Sequence, residues 1–205
     1  MLFIITVSVA LFFFFFFSFL LLRKKILLIV FIVAYSAILK FFIVQAYKMP
    51  SGSMLPNILI GDHFLANKYI YKFSRPSHGD IAIFPFPKAP NLDYIKRVIA
   101  LGGDTVEIKN KVLFVNEKKI IEPYANYDSS NIIPSSESPR DFFGPITVPN
   151  NKVFVLGDNR DNSFDSRFWG FVNEESINAR MEFIYWSKDK KKEEVRWNRI
   201  GKSIK

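Results

Sequence analysis

Three stretches of the chain combine residue types that ordinary structure does not require. The first is Met49-Pro50-Ser51-Gly52-Ser53-Met54-Leu55-Pro56. Glycine lets a backbone approach a ligand closely and the prolines stiffen its flanks. Ser53 can be a nucleophile there if a base takes its proton; the plain alternative is a connecting loop. The second is Asp93-Tyr94-Ile95-Lys96-Arg97-Val98-Ile99, a Lys-Arg pair inside an apolar, strand-like run. Alternation puts Lys96 and Arg97 on opposite faces, so one of them faces the core side. Burial lowers a lysine pKa, and a neutral lysine is a general base. The alternative is an edge-strand lysine that discourages aggregation. The third runs from Gly157 to Gly170 and holds Asp158, Asn159, Arg160, Asp161, Asn162, Ser163, Asp165, Ser166 and Arg167. Its Asp/Asn alternation resembles a calcium loop, but the mid-loop glycine and the closing bidentate glutamate are missing. Ion pairs among Asp158, Arg160, Asp165 and Arg167 that rigidify a loop fit better.

Composition removes other chemistries. The chain of 205 residues contains no cysteine, which excludes a disulfide framework, a thiolate metal site and a cysteine nucleophile. With two histidines, a histidine-rich zinc site is not expected. His63 and His78 have no seryl and acidic partners at a suggestive spacing, so a Ser-His-Asp triad is not expected either. Neither a metal nor a cofactor is implied. The formal charge is +9, but residues 1–48 carry five basic residues and no acid. The rest is near balance, weak grounds for nucleic-acid binding.

These residues need a scaffold, and the pattern predicts an all-β one. His63–Tyr71, Asp80–Pro85, Tyr94–Leu101, Thr105–Ile108, Lys111–Val115 and Lys152–Leu156 are short runs rich in Val, Ile, Phe and Tyr, punctuated by Gly-Asp and Gly-Gly-Asp turns. A hairpin is expected at Lys109-Asn110. Residues 122–145, polar and rich in Pro and Ser, read as a long exposed loop. Phe84-Pro85-Phe86-Pro87 reads as a stiff loop or an apolar patch against lipid. Residues 187–194 read as a charged loop before a last strand, Val195–Ile200. The domain 48–205 is thus a β-barrel or sandwich, with a small capping β-subdomain and loop within about 105–150.

Residues 1–47 read as a membrane anchor. Residues 1–22 carry no charge and include six consecutive phenylalanines, Phe12 to Phe17; residues 26–45 are broken only by Lys40. Each approaches the ~20 residues that span a bilayer. Either both span, as a hairpin turning at Arg23-Lys24-Lys25, or one spans and the other lies in the interface. The positive-inside rule places the hairpin's basic turn in the cytoplasm and the domain outside.

Together, in this order and behind an anchor, the three stretches resemble the bacterial type I signal peptidases, the leader peptidase family. Phe143–Pro149 and Val195–Gly201 fit as well, so the resemblance covers about residues 48–104 and 143–201. It implies a membrane-bound serine endopeptidase of the signal-peptidase fold, using a Ser/Lys dyad to remove signal peptides from secreted preproteins after small residues. Ser53 matches the nucleophile and Lys96 the general base. Ser51 matches the serine that completes the oxyanion hole with the Ser53 N–H, and Ser163 the serine that orients the lysine amine. Asp158 and Arg97 match one supporting ion pair, Asp165 and Arg167 another. Met49, Pro50, Met54, Ile58, Tyr94 and Ile95 fall where the family lines its cleft. The implied partners are preprotein signal peptides and the lipid bilayer, with a monomer on the outer side of the bacterial plasma membrane. Asn57 stands where threonine is usual and Gly102-Gly103 where Pro-Gly is common. Two other readings compete: a Ser/Lys protease that cuts itself or one dedicated partner, and an inactive tethered binding protein. The complete set Ser51, Ser53, Lys96 and Ser163 disfavours the latter.

Overall fold

The structure is a computed structural model and describes residues 9, 11–16, 25–42, 44–189 and 191–204. Of the expected turn Arg23-Lys24-Lys25, Lys25 begins a helix, while Arg23, Lys24 and most of segment 1–22 lie outside these residues. Helix α1 covers Lys25–Phe42. Residues 11–16 are helical, and their rings meet those of α1: Phe15 lies 5.2 Å from Phe31, Phe12 6.1 Å from Tyr35. Among the described residues no helix is long and apolar enough to cross a membrane. The apolar stretch predicted to reach residue 45 turns into strand β1, Val44–Lys48. Tyr47 there stacks on Phe64, so the chain joins the sheet before residue 48.

The rest is mostly β. Strands β2 (Asp62–Asn67), β3 (Ile81–Phe86), β4 (Ala89–Leu101), β9 (Lys152–Leu156), β10 (Val172–Asn173) and β11 (Ala179–Asp189) join β1 in one antiparallel sheet, with β12 (Glu194–Val195) paired to β11. Its order is β1-β2-β11-β3-β4-β9-β10. A second sheet contains β5 (Thr105–Lys109), β6 (Val112–Val115), β7 (Lys118–Lys119) and β8 (Phe143–Thr147), in the order β7-β6-β5-β8. Short helices α2 (Ile70–Phe73) and α3 (Ser166–Trp169) complete the domain.

Strand β4 is the spine. Ile95 packs with Met49, Met54, Ile58 and Phe64; Val98 with Phe84, Val153 and Val155; and Ile99 with Val106, Leu113 and Phe154. One strand therefore serves three apolar clusters. Six consecutive residues, Ile95 to Ala100, are buried on both faces, as in strands covered on each side.

Several local expectations are corrected. The run 63–71 is strand only to Asn67, whose side chain accepts the Tyr69 and Ile70 N–H groups and starts α2. The hairpin turn is Asn110-Lys111, both at positive φ as a two-residue primed turn requires. Phe84-Pro85-Phe86 is neither loop nor surface patch: it closes β3, with Phe84 fully buried and Phe86 stacked on Tyr94 at 4.4 Å. Residues 195–200 give one strand residue, Val195, and then a 3-10 turn at Trp197–Arg199. The segment 122–142 is not simply exposed: Glu122 pairs with Arg160, Asp141 is buried, and Asn126 bridges to Asn159.

Candidate active site

Ser53 lies in the turn that follows β1. The Met49 N–H donates to the Asp62 carbonyl at 2.9 Å and that of Ile58 to the Met54 carbonyl at 2.9 Å, which fixes both ends of the segment. Lys96 projects from β4, opposite Ala82 of β3, and donates from Nζ to Ser53 Oγ at 2.8 Å. Both side chains are buried, and the two residues are 43 positions apart. Ser51 is exposed, with its Oγ 3.3 Å from Ser53 Oγ. Burial pulls the Lys96 pKa down to about 8; Asp165 and Asp158 oppose that shift and Arg167 adds to it.

Arg97, the next residue, points the other way. Its Nε and Nη2 clamp Asp158 at 2.8 and 2.7 Å, both side chains fully buried. The Arg167 fork holds Asp165 at 2.8 Å on each oxygen. The carboxylate of Asp165 also caps α3 and accepts the Gly157 N–H at 3.1 Å. These two pairs set the shape of the loop 157–167, which brings Asn159 against the turn at Ser53. Asn159 donates its backbone N–H to the Ser53 carbonyl at 3.0 Å and its Nδ2 to the Gly52 carbonyl at 3.2 Å.

Gly157 is placed by space. A Cβ there would sit 2.2 Å from Ser163 Oγ and 2.5 Å from the Ser53 carbonyl oxygen. Ser163 is buried within this contact, but its hydroxyl has no hydrogen-bond partner among the described residues. The lysine-orienting bond that the resemblance implies for Ser163 is not made: Lys96 gives its bond to Ser53 instead.

A cleft of about 630 Å³ opens over Ser53 and Lys96. Of the residues expected to line a substrate cleft, Met49, Pro50, Tyr94 and Ile95 line this one. Met54 and Ile58 do not: both are fully buried in the apolar cluster beneath, because the turn after Ser53 tucks them under β4. Leu55, Leu92, Phe164, Asn159, Asn162 and Asp128 line the cleft too. Asn159, Asn162 and Phe164 lie inside the third motif, where their residue types carried no distinguishing signal. Asp128 comes from the long loop, where nothing marked it. Asn57, which stands where threonine is usual, donates from Nδ2 to Asp158 Oδ2 at 2.9 Å and to the Tyr124 carbonyl at 2.6 Å.

A buried serine within hydrogen-bond reach of a lysine with depressed pKa suits nucleophilic attack on a carbonyl carbon, with that lysine as base. Similarity to known proteins shows the family. The family model described as "Signal peptidase, peptidase S26" matches residues 22–186. Signal peptidase I of Aquifex aeolicus (strain VF5) is 36% identical, over 76% of this chain and 81% of that protein. Signal peptidase I P of Bacillus subtilis subsp. natto is 35% identical, over 75% and 83% respectively. A crystal structure of a signal peptidase I from Enterococcus faecalis V583 is 33% identical over a match covering 52% of this chain and 97% of that one, with a TM-score of 0.42.

Proposed function

The chain belongs to the signal peptidase family, peptidase S26, and on that premise we propose that it removes N-terminal signal peptides from secreted preproteins with a Ser53/Lys96 dyad. It is a serine peptidase, a hydrolase of peptide bonds, of the signal peptidase I kind. The observation that carries the dyad is the 2.8 Å contact between Lys96 Nζ and Ser53 Oγ in a buried setting.

In this reading, neutral Lys96 takes the Ser53 proton as Oγ attacks the scissile carbonyl carbon. The developing oxyanion accepts from the Ser53 N–H and the Ser51 hydroxyl; one such donor is typically worth about 3–4 kcal/mol. The lysine then gives its proton to the leaving amine, which departs as the N-terminus of the mature protein. An ester to Ser53 remains. Lys96 next activates water, and hydrolysis frees the signal peptide and regenerates the serine. Ser163, buried and without a hydrogen-bond partner among the described residues, is the acceptor that orients the amine once Ser53 is acylated. Arg97–Asp158 and Arg167–Asp165 hold the frame. No cofactor or metal enters.

The substrate lies extended in the cleft, pairing with the strand edge at Met49–Ser51. Met49, Pro50, Tyr94 and Ile95 leave room for small residues at the first and third positions before the cut, an Ala-x-Ala-like preference. Residues 1–47 anchor the enzyme in the bacterial plasma membrane, with residues 48–205 as a monomer on the outer side. The ring contacts of Phe12 and Phe15 with Tyr35 and Phe31 run antiparallel, which supports the hairpin over the single span.

The test is cleavage of a preprotein by purified protein in detergent, with the new N-terminus sequenced. Cleavage after a small residue at the signal-peptide boundary is expected, lost in Ser53→Ala and in Lys96→Ala with the fold kept. Lys96→Arg is inactive as well, since arginine stays charged. Normal turnover by any of the three sinks the dyad.

A further inference from the structure

The charged side chains lining the cleft are Asp93, Lys96 and Asp128, and Lys96 is engaged by Ser53. Asp128 is unlike the fully buried acids of the domain. Asp62, Asp158 and Asp165 each meet an arginine, which cancels their charge. Asp128 is exposed, and its partners are two neutral amides. Asn126 Nδ2 donates to Oδ1 at 2.8 Å and Asn162 Nδ2 donates to Oδ2. Two amides fix the direction of a carboxylate without neutralising it, and no ion pair among the described residues includes Asp128.

The loop that carries Asp128 is held on both sides. Asn57 donates to the Tyr124 carbonyl. The Asn126 N–H donates to the Asp158 carbonyl at 2.7 Å, and the Arg160 N–H to the Asn126 carbonyl at 2.8 Å. The Ser129 N–H donates to Asp161 Oδ2 at 3.0 Å, and Glu122 pairs with Arg160. A negative charge is thereby fixed on the wall of the cleft, beside Asn159 and Asn162.

We propose that Asp128 is a specificity-determining residue: at one position flanking the scissile bond it favours a cationic or hydrogen-bond-donating side chain and rejects an acidic one. This rests on the cleft being the peptide site proposed above. A single contact between unit charges exposed to water corresponds to about a fivefold preference and fades with salt.

The experiment measures kcat/KM for preprotein peptides carrying Lys, Gln or Glu, one position at a time, at the second residue before the cut and the first three after it. The enzymes are wild type, Asp128→Asn, Asp128→Lys and Asp93→Asn. At one position the wild type prefers Lys over Glu by about fivefold or more, and the ratio shrinks in about 1 M salt. The preference is lost in Asp128→Asn, inverted in Asp128→Lys and kept in Asp93→Asn. Should Asp128→Lys fail to fold, the near-isosteric Asp128→Asn decides alone. Equal rates for Lys and Glu at every position in the wild type, or a preference that survives Asp128→Asn, overturn the proposal while leaving the peptidase reading intact. No cleavage by the wild type overturns both.

Discussion

As the proposed base, Lys96 acts only in its neutral form, so its surroundings set the working pH. Burial lowers its pKa to about 8, against the opposing charges of Asp165 and Asp158. The sign is fixed: below that pKa the ammonium dominates and has no lone pair for the Ser53 proton; above it the amine is free. The pH profile of kcat/KM therefore rises with a midpoint near 8 and sits at about a hundredth of its plateau two pH units lower. A midpoint near that of an exposed lysine, or a flat profile, would remove Lys96 as the base. Residue type marked Ser53 and Lys96 as candidates, because Ser-Gly-Ser between prolines and a cation pair in an apolar run are costly unless used; their proposed roles come from the family resemblance. Asn159 and Asn57 were not legible. Their roles rest on bonds to backbone carbonyls and to a buried carboxylate far along the chain, and an asparagine in a loop looks the same whether or not it makes them.

At the level of elements, the site depends on how closely the loop 157–167 packs against the turn at Ser53, and Gly157 is the contact point. Any side chain there meets Ser163 Oγ and the Ser53 carbonyl well inside van der Waals distance. The Ser53 carbonyl is backbone and accepts from Asn159, so it cannot swing aside as a flexible side chain would. Gly157→Ala should push Ser53 away from Lys96 and, with Ser53 as the proposed nucleophile, reduce kcat at least about 100-fold, the order of loss expected from a misplacement of about 1 Å. A thermal melt beside the kinetic assay checks that the fold survives; near-normal kcat in a folded Gly157→Ala protein would show that the two loops have slack. Strands whose residues are apolar on both faces, such as β3 and β9, were legible as continuous runs, the latter to the residue. Strand β11 was not, although it crosses the sheet between β2 and β3. Two register shifts, between Met181 and Phe183 and between Ile184 and Trp186, break its alternation. Arg180, Glu182, Tyr185 and Lys188 then give it a polar look.

For the whole molecule, the boundary that matters is where the apolar run meets the sheet, and hydropathy carried that run past the start of β1. Val44 continues the apolar run that α1 carries, yet it and Gln45 pair with Asn67 and Ala66 in the sheet. Hydropathy cannot separate the last turn of an apolar helix from an edge strand, because both are rich in the same side chains. The consequence can be measured on truncated chains. A fragment beginning at Val44 keeps the whole β1–β2 ladder and the Tyr47–Phe64 stack. One beginning at Met49 deletes the strand, uncovers the edge of β2 and frees the segment that leads into Ser53. An unpaired edge is a template for aggregation. The fragment 44–205 should remain in solution, melt cooperatively and cleave a signal-sequence peptide, while 49–205 should aggregate and lose activity. Sedimentation and peptide cleavage at equal concentration decide it. Equal behaviour of the two fragments would mean that β1 is an ornament of α1, and that the turn at Ser53 is held by the Met49–Asp62 backbone bond and the packing of Met54 and Ile58 alone.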